Sequence, residues 1–524
     1  MGKKVTELET RRLELQDRLD AEKGTLERNR MGQFATPTKL AVEMLGYART
    51  ILGPDATVRF LDPALGTGSF YSALCANFPA TNIHSAAGFE IDRHYGVPAA
   101  ELWSETGLEV RLEDFTRSAE PEGSEKSNLL ICNPPYVRHH HIDSGDKRRL
   151  QLRVREVCGA EISGLAGLYC YFLGLSHNWM TGGGLAGWLI PSEFMDVNYG
   201  KSVKRYLLDE VTLLHIHRFD PMDAQFRDAL VSSAVVWIKN EPPPDEHRVR
   251  FTYGGTLDAP KMEKSVSSET LRRESKWTRY PAKDEAEVIK GPILSDFFKI
   301  KRGLATGNNG FFILTAREIE QKGLPLEAFK PILPSPRYLL GDEIRGDRDG
   351  NPLLDTRLFL LDPPWTEAEI EKDHPKLWAY LEQGKKTGIA ARYICRHRAP
   401  WYRQERRPPA PFVCTYLGRG DKKSGRPFRF ILNDSRATAA NVYLMLYPQE
   451  PIARIMQDRP ELKRRVWEYL NEICPRAMLG ESRVYGGGLH KLEPKELGNV
   501  PAAAIAELLP EADRPRGANQ IELF

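Results

Sequence analysis

From residue 32 to about residue 240, short apolar runs alternate with stretches of helical periodicity. The runs are 58–61, 87–90, 108–112, 128–132, 185–190, 213–216 and 231–238. Runs of this length separated by helical segments predict an α/β domain with a mainly parallel sheet of seven strands, a Rossmann-like architecture. Upstream, residues 5–30 read as one charged helix with Leu8, Leu15, Leu19 and Leu26 on one side, a stripe suited to packing on the main domain. Downstream, Glu241-Pro242-Pro243-Pro244-Asp245 breaks the alternation. The region after it is less regular. The C-terminal part is rich in proline, aromatics and arginine, without βα alternation. The expected organisation is therefore a charged helix over 1–30, an α/β domain over 31–245, a connecting region over 246–292 and a mixed α+β domain over 293–524.

Composition changes this picture little. The chain of 524 residues is 41% hydrophobic and 28% charged, ordinary for a globular protein. Its seven cysteines form no CxxC pair, which suits reduced thiols in the cytoplasm and not a structural zinc site. No apolar run approaches the roughly 20 residues of a membrane span, so no membrane partner is expected. The net charge of +3 says little, but its distribution says more. Residues 385–436 hold 14 Lys/Arg against three Asp/Glu, with aromatics interleaved, the footprint of a polyanion partner.

Chemistry enters at the strand ends. The first strand runs into Asp62-Pro63-Ala64-Leu65-Gly66-Thr67-Gly68-Ser69-Phe70, and glycines at a strand-to-helix turn let the backbone approach a ligand. The second strand ends at Glu90-Ile91-Asp92, where a carboxylate can accept from ribose hydroxyls. The third ends at Asp114-Phe115, an acceptor and a ring suited to an adenine. No GxxxxGK[ST] loop is present, which disfavours a P-loop NTPase.

The fourth strand ends in Asn133-Pro134-Pro135-Tyr136, the most specific signal in the chain. The amino group of adenine is a weak nucleophile because its lone pair is delocalised into the ring. The Asn133 side-chain carbonyl and the Pro134 backbone carbonyl can both accept from that amine and turn its lone pair toward an electrophile. Two prolines hold the loop rigid, so the acceptors are preorganised. Tyr136 offers a π-face for a base taken out of its stack.

In order and motif the chain resembles the amino-methyltransferases of the class I S-adenosylmethionine (SAM)-dependent superfamily. More narrowly, it resembles the gamma class of DNA adenine-N6 methyltransferases, the group of the TaqI and PstI modification enzymes. Gln33-Phe34-Ala35-Thr36-Pro37 is similar to the segment that lines the methionine side of the SAM pocket in that class. The 62–70 segment resembles the class's DPACGSGxF form, with Leu65 and Thr67 as departures. The resemblance implies SAM contacts from Phe34, Thr36, Pro37, Asp62, Pro63, Ala64, Gly66, Gly68, Glu90, Ile91, Asp114 and Phe115.

It further implies that Phe226, in a Phe226–Ser232 stretch similar to a family segment, stacks on the flipped adenine opposite Tyr136. Residues 301–309 and 483–488 look like the start and a late element of a target-recognition domain. The expected partner is double-stranded DNA, together with a cognate restriction endonuclease. Arg138, Trp401, Tyr402, Arg403, Arg406, Arg407, Lys422, Lys423 and Arg426 are the candidate DNA contacts, with Arg419 and Arg429 in the same basic stretch. Methyl transfer needs no metal, and the consecutive His139-His140-His141 suit a DNA-contacting loop better than a metal site. The rival functions are methylation of an amino group in RNA or of a protein glutamine, and a catalytically idle DNA-binding protein.

Overall fold

The computed structural model describes residues 2–220, 232–282, 291–419, 426–485 and 489–515. The chain divides into two compact units, one of Met1–Glu287 with Tyr485–Gly487, the other of Val288–Val484 with Gly488–Phe524.

The first unit is built on a nine-stranded sheet. Its strands are β1 (Val58–Asp62), β2 (Ile83–Phe89), β3 (Leu108–Arg111), β4 (Ser127–Cys132), β5 (Met180–Pro191), β6 (Thr212–Arg218), β7 (Ser233–Lys239), β8 (Arg248–Gly255) and β9 (Pro260–Ser267), in the order β3-β2-β1-β4-β5-β7-β6-β8-β9. Strands β1 to β5 pair in parallel, and β7 runs antiparallel between β5 and β6. All seven expected strands are present.

The apolar runs reflect burial on both faces. Leu61, Leu130, Cys132, Ala186 and Trp188 join one core, while Phe60, Leu129, Ile131, Leu185 and Leu189 join the other. Helices α3 (Thr38–Leu52), α4 (Ser69–Asn77), α5 (Arg93–Trp103), α6 (Ser144–Cys158), α7 (Leu168–Leu175) and α8 (Gly200–Asp209) connect or flank the strands. The strand order reverses between β1 and β4, so a crevice opens at their carboxyl ends, where ligands of such sheets bind.

Two expectations change. Residues 246–292 are not merely a connection, because β8 and β9 extend the sheet beyond β6. Val249 and Phe251 alternate inward while Arg248 and Arg250 point away, a two-residue period that the preceding prolines overshadowed. The N-terminal helix is also two, α1 (Gly2–Glu22) and α2 (Thr25–Met31), broken at Gly24. Leu19 is buried, but Leu26, past the break, is 86% exposed.

The second unit is mixed α+β, as expected. It holds a five-stranded sheet in the order 298–302, 443–448, 412–415, 430–433, 343–344, and a three-stranded sheet in the order 313–315, 358–361, 329–332. Helices Glu367–Asp373 and Pro375–Lys386 pack with the smaller sheet around Ile370, Leu377 and Leu381. Among the described residues, no helix is long and apolar enough to cross a membrane.

Candidate active site

The glycine turn follows β1 directly. Gly66 and Gly68 have φ of 57° and 91°, in the left-handed region that glycine enters without steric cost. A Cβ at Gly68 would meet the Trp103 indole nitrogen at 2.5 Å, whereas one at Gly66 would meet open space. The Trp103 Nε1 donates to the Thr67 carbonyl at 2.9 Å and holds the turn from behind. Leu65, one of the two departures from the family form, is buried where Gly88 on β2 leaves room for it. A Cβ there would come within 2.7 Å of the Leu65 side chain.

Asp62 lies at the root of this turn, buried. Its Oδ1 accepts from the Ala64 amide at 3.1 Å, and its Oδ2 has no hydrogen-bond partner. Burial pushes the Asp62 carboxyl up to about 8, with the nearby Glu90 adding to the rise. Glu90, after β2, accepts from the Gly66 amide at 2.9 Å and the Asp92 amide at 2.8 Å, and burial raises its carboxyl. Ile91 beside it is 62% exposed.

Asp114 accepts at Oδ1 from the Thr116 amide and hydroxyl and pairs with Arg117 at 3.3 Å. Phe115, expected to offer its face to an adenine, is only 3% exposed. It packs instead against Phe89, Phe172 and Trp179 in the core, because the chain turns its side chain inward after Asp114. Sequence reasoning missed Arg149 and Arg153 on α6, which both donate to the Thr116 carbonyl and brace this turn.

At the end of β4 the Asn133 amide is oriented from the N-terminal side. Its Nδ2 donates to the Phe34 carbonyl at 2.9 Å and to the Thr36 hydroxyl at 3.1 Å. A backbone carbonyl can only accept, so the nitrogen must face Phe34 and the oxygen must face the other way. That oxygen, Oδ1, is buried and has no partner. Pro37 caps α3, and Pro134 is buried while Pro135 is half-buried. Gly32, at φ 66°, accepts at its carbonyl from the Tyr136 amide at 3.0 Å. A Cβ on Gly32 would fall 2.4 Å from the Tyr136 nitrogen, so this approach requires glycine.

Tyr136 is itself buried. Its hydroxyl donates to the Leu189 carbonyl at 3.0 Å, and its ring packs on Phe34 and Tyr169 at centroid distances of 5.6 and 6.5 Å. It anchors the loop and exposes little of its face. Cys132 is fully buried, its thiol pushed up by burial, as expected of a core residue.

Arg138 and His140 are exposed, and His139–His141 form one 3-10 turn. Among the described residues, no group of three or more His, Cys, Asp or Glu is placed to hold a metal ion.

Phe226, Lys422 and Lys423 lie outside the described residues. In the second unit, Arg403, Arg406, Arg419 and Arg426 are exposed. Tyr402 is fully buried and serves the core rather than a DNA-facing surface, while Trp401 is half-buried and packs on Phe311 and Phe312. Arg407 is tied to the Arg302 carbonyl at 3.2 Å and to Glu405 at 2.7 Å. Arg429 pins a loop, donating to Asp342 and to the carbonyls of Pro336, Leu339 and Gly341.

A family profile described as the Eco57I restriction-modification methylase matches residues 90–225, and the C-terminal domain of Type II methyltransferase M.Eco57I matches residues 276–522. Over these two stretches the chain is similar to the Eco57I-like restriction-modification methylases. It is 27% identical over 489 residues to Type II methyltransferase M.AccI of Acinetobacter calcoaceticus, covering 90% of this chain and 85% of that one. It is equally similar to Type II methyltransferase M.XamI of Xanthomonas campestris pv. amaranthicola, at 27% identity over 91% of this chain and 86% of that one. Among solved structures, the Type IIL restriction-modification enzyme MmeI in complex with DNA superposes with a TM-score of 0.51 at 11% identity. That match covers 83% of this chain and spans 65% of MmeI, and it bears on the fold alone. The fold is that of a class I SAM-dependent methyltransferase with a C-terminal domain.

Proposed function

We propose that this chain is a SAM-dependent DNA methyltransferase of a restriction–modification system that methylates N6 of adenine in duplex DNA, with the target base turned out of the helix. The observation that carries the reading is the Asn133 amide. Both of its donor directions are occupied, and its buried oxygen has no partner. A buried acceptor left unpaired costs about 1–3 kcal/mol, a cost that an incoming amine donor removes.

The residues at the other strand ends fit SAM. The unpartnered Asp62 oxygen suits an ammonium group. Each Glu90 oxygen accepts one backbone amide and keeps a second lone pair for a hydroxyl. Ile91 presents uncovered apolar surface for a purine. When bound, SAM supplies an electrophilic methyl group.

The chain supplies orientation. Asn133 Oδ1 and the Pro134 carbonyl accept the two amine hydrogens, and this pyramidalises the nitrogen and aims its lone pair out of the ring plane. The same two carbonyls stabilise the positive charge that the nitrogen carries until a proton leaves to water. Phe34 and Thr36 prevent the amide from rotating, so no reorganisation is needed at the moment of reaction. Phe226 is assigned one face of the base by the family resemblance, and Tyr136 holds the loop beneath it.

The test is single-molecule sequencing of DNA from a methylase-free host expressing the chain or its Asn133→Ala variant. N6-methyladenine in one short motif is expected with the intact chain. A loss of about 100- to 1,000-fold is expected in the variant, the usual effect of removing one preorganised hydrogen-bonding group. If the intact chain binds SAM yet leaves no modified adenine, the DNA-adenine reading fails.

A further inference from the structure

Helix α1 packs on the main domain, as its apolar stripe suggested, and lies against the glycine turn through polar contacts that the stripe did not announce. Arg12 is 1% exposed, and all three of its guanidinium nitrogens are hydrogen-bonded. It grips Glu9 with two hydrogen bonds, at 2.6 and 2.7 Å, and donates to the hydroxyls of Thr38 at 3.1 Å and Thr67 at 3.2 Å. The Thr67 hydroxyl then donates to Gln16 Oε1 at 2.7 Å. Burial alone would raise the Glu9 carboxyl, but its bonds from Arg12, Ser72 and Thr38 outweigh that and keep it low.

Thr67 is the second departure from the family form, and it stands between the two positive-φ glycines. Its hydroxyl is thereby used as both acceptor and donor, toward α1.

The same N-terminal segment holds the end of the second strand. Lys23 and Gln33 both donate to Asp92 Oδ2, the latter at 2.7 Å. Asp20 accepts from the Tyr95 hydroxyl at 2.8 Å, and the Leu19 carbonyl lies 2.9 Å from His94 Nε2. Residues 12–33 thus fasten both rims of the crevice, the turn after β1 and the turn after β2.

We infer that Arg12, with Gln16, is a positioning residue for SAM, acting through Thr67 to hold the glycine turn in its ligand-ready shape. This rests on the proposed use of SAM. None of these α1 side chains needs to touch the cofactor. They fix the separation between the Gly66 amide and the Glu90 carboxylate, which meet at 2.9 Å.

The experiment measures SAM binding by equilibrium dialysis of full-length protein, alongside DNA affinity without SAM, melting temperature, and kcat at saturating SAM. The intact chain must bind SAM first; failure there sinks the SAM reading and this inference with it, whereas failure in the variants alone sinks only the inference. Arg12→Met is expected to weaken SAM binding about tenfold, the value of one lost charge-assisted network bond. DNA affinity should be unchanged, and kcat should recover when SAM saturates. Arg12→Lys should restore part of the loss, because an ammonium keeps the charge but not the fork. The exposed neighbour provides a control, and Arg11→Met should bind SAM normally.

If Arg12→Met does not fold, Gln16→Ala decides alone, with an expected loss of about threefold from one neutral hydrogen bond. Unchanged SAM affinity in the folded variants would overturn the inference. So would equal losses of SAM and DNA affinity, which would mark α1 as a general structural support.

Discussion

Asp62 is buried and Asn133 half-buried, each has one buried acceptor oxygen unsatisfied, and they lie on the adjacent strand ends of β1 and β4. Such atoms are rare in finished structures and concentrate where a ligand completes them. For Asp62 the consequence is a proton. Its carboxyl, held up at about 8 by burial, is mostly protonated near neutral pH in the cofactor-free chain. A bound ammonium would reverse that preference, so SAM binding at pH 7 should release up to about one proton per chain. Calorimetric titration in two buffers of different ionisation enthalpy reads this directly. The release should shrink above pH 9, where the free carboxyl is already ionised. The linkage sign for folding is equally definite. A carboxyl raised in the folded state favours folding below its unfolded pKa, and that advantage is lost as pH climbs toward 8. The melting temperature of the cofactor-free chain should therefore fall from pH 5 to pH 8. The fall should be smaller in Asp62→Asn, a variant that also binds SAM more weakly. A buffer-independent binding enthalpy would rule out the ammonium assignment.

At the scale of elements, the basic stretch around 401–407 shows how far charge alone can be read. Arg403 and Arg406 face solvent, while Arg407 is held by Glu405 and a backbone carbonyl. Each phosphate contact contributes about 0.9 to the slope of log affinity against log salt. Replacing Arg406 with Met is expected to lower that slope by about one. The same change at Arg407 should leave the slope intact and lower stability instead, as urea unfolding would report. A slope change at Arg407 would show that its internal bonds yield to DNA.

Composition located the stretch but could not say which arginines turn inward, because that depends on partners such as Arg302, about a hundred residues away. The proposed catalytic loop was legible for the opposite reason. Asn133-Pro134-Pro135-Tyr136 and the glycine turn are contiguous, and their chemistry sits in the residues themselves. Strands β8 and β9 were hidden behind three prolines that look like a domain boundary. The clasp of Arg12 on Thr67 spans 55 residues and has no local signature.

At the scale of the whole molecule, every expected SAM residue falls in the unit of residues 1–287, while the exposed arginines of the basic stretch fall in the other. The two units have separate cores, with Leu130, Trp188 and Phe60 among the anchors of one and Phe412, Leu444 and Leu377 of the other. Chains built this way depart from two-state unfolding. Scanning calorimetry of the full chain should therefore resolve two transitions. A ligand stabilises only the unit that binds it, by about 2.7 kcal/mol at a concentration one hundred times its Kd. SAM should raise one transition and leave the other where it was. The transition that moves should be the one lowered in Arg12→Met, since that side chain is buried in the N-terminal unit. A single transition that shifts as a whole would mean that the two cores melt together. The exposed arginines would then be tied energetically to the SAM site, and salt and cofactor would no longer act on separate parts of the chain.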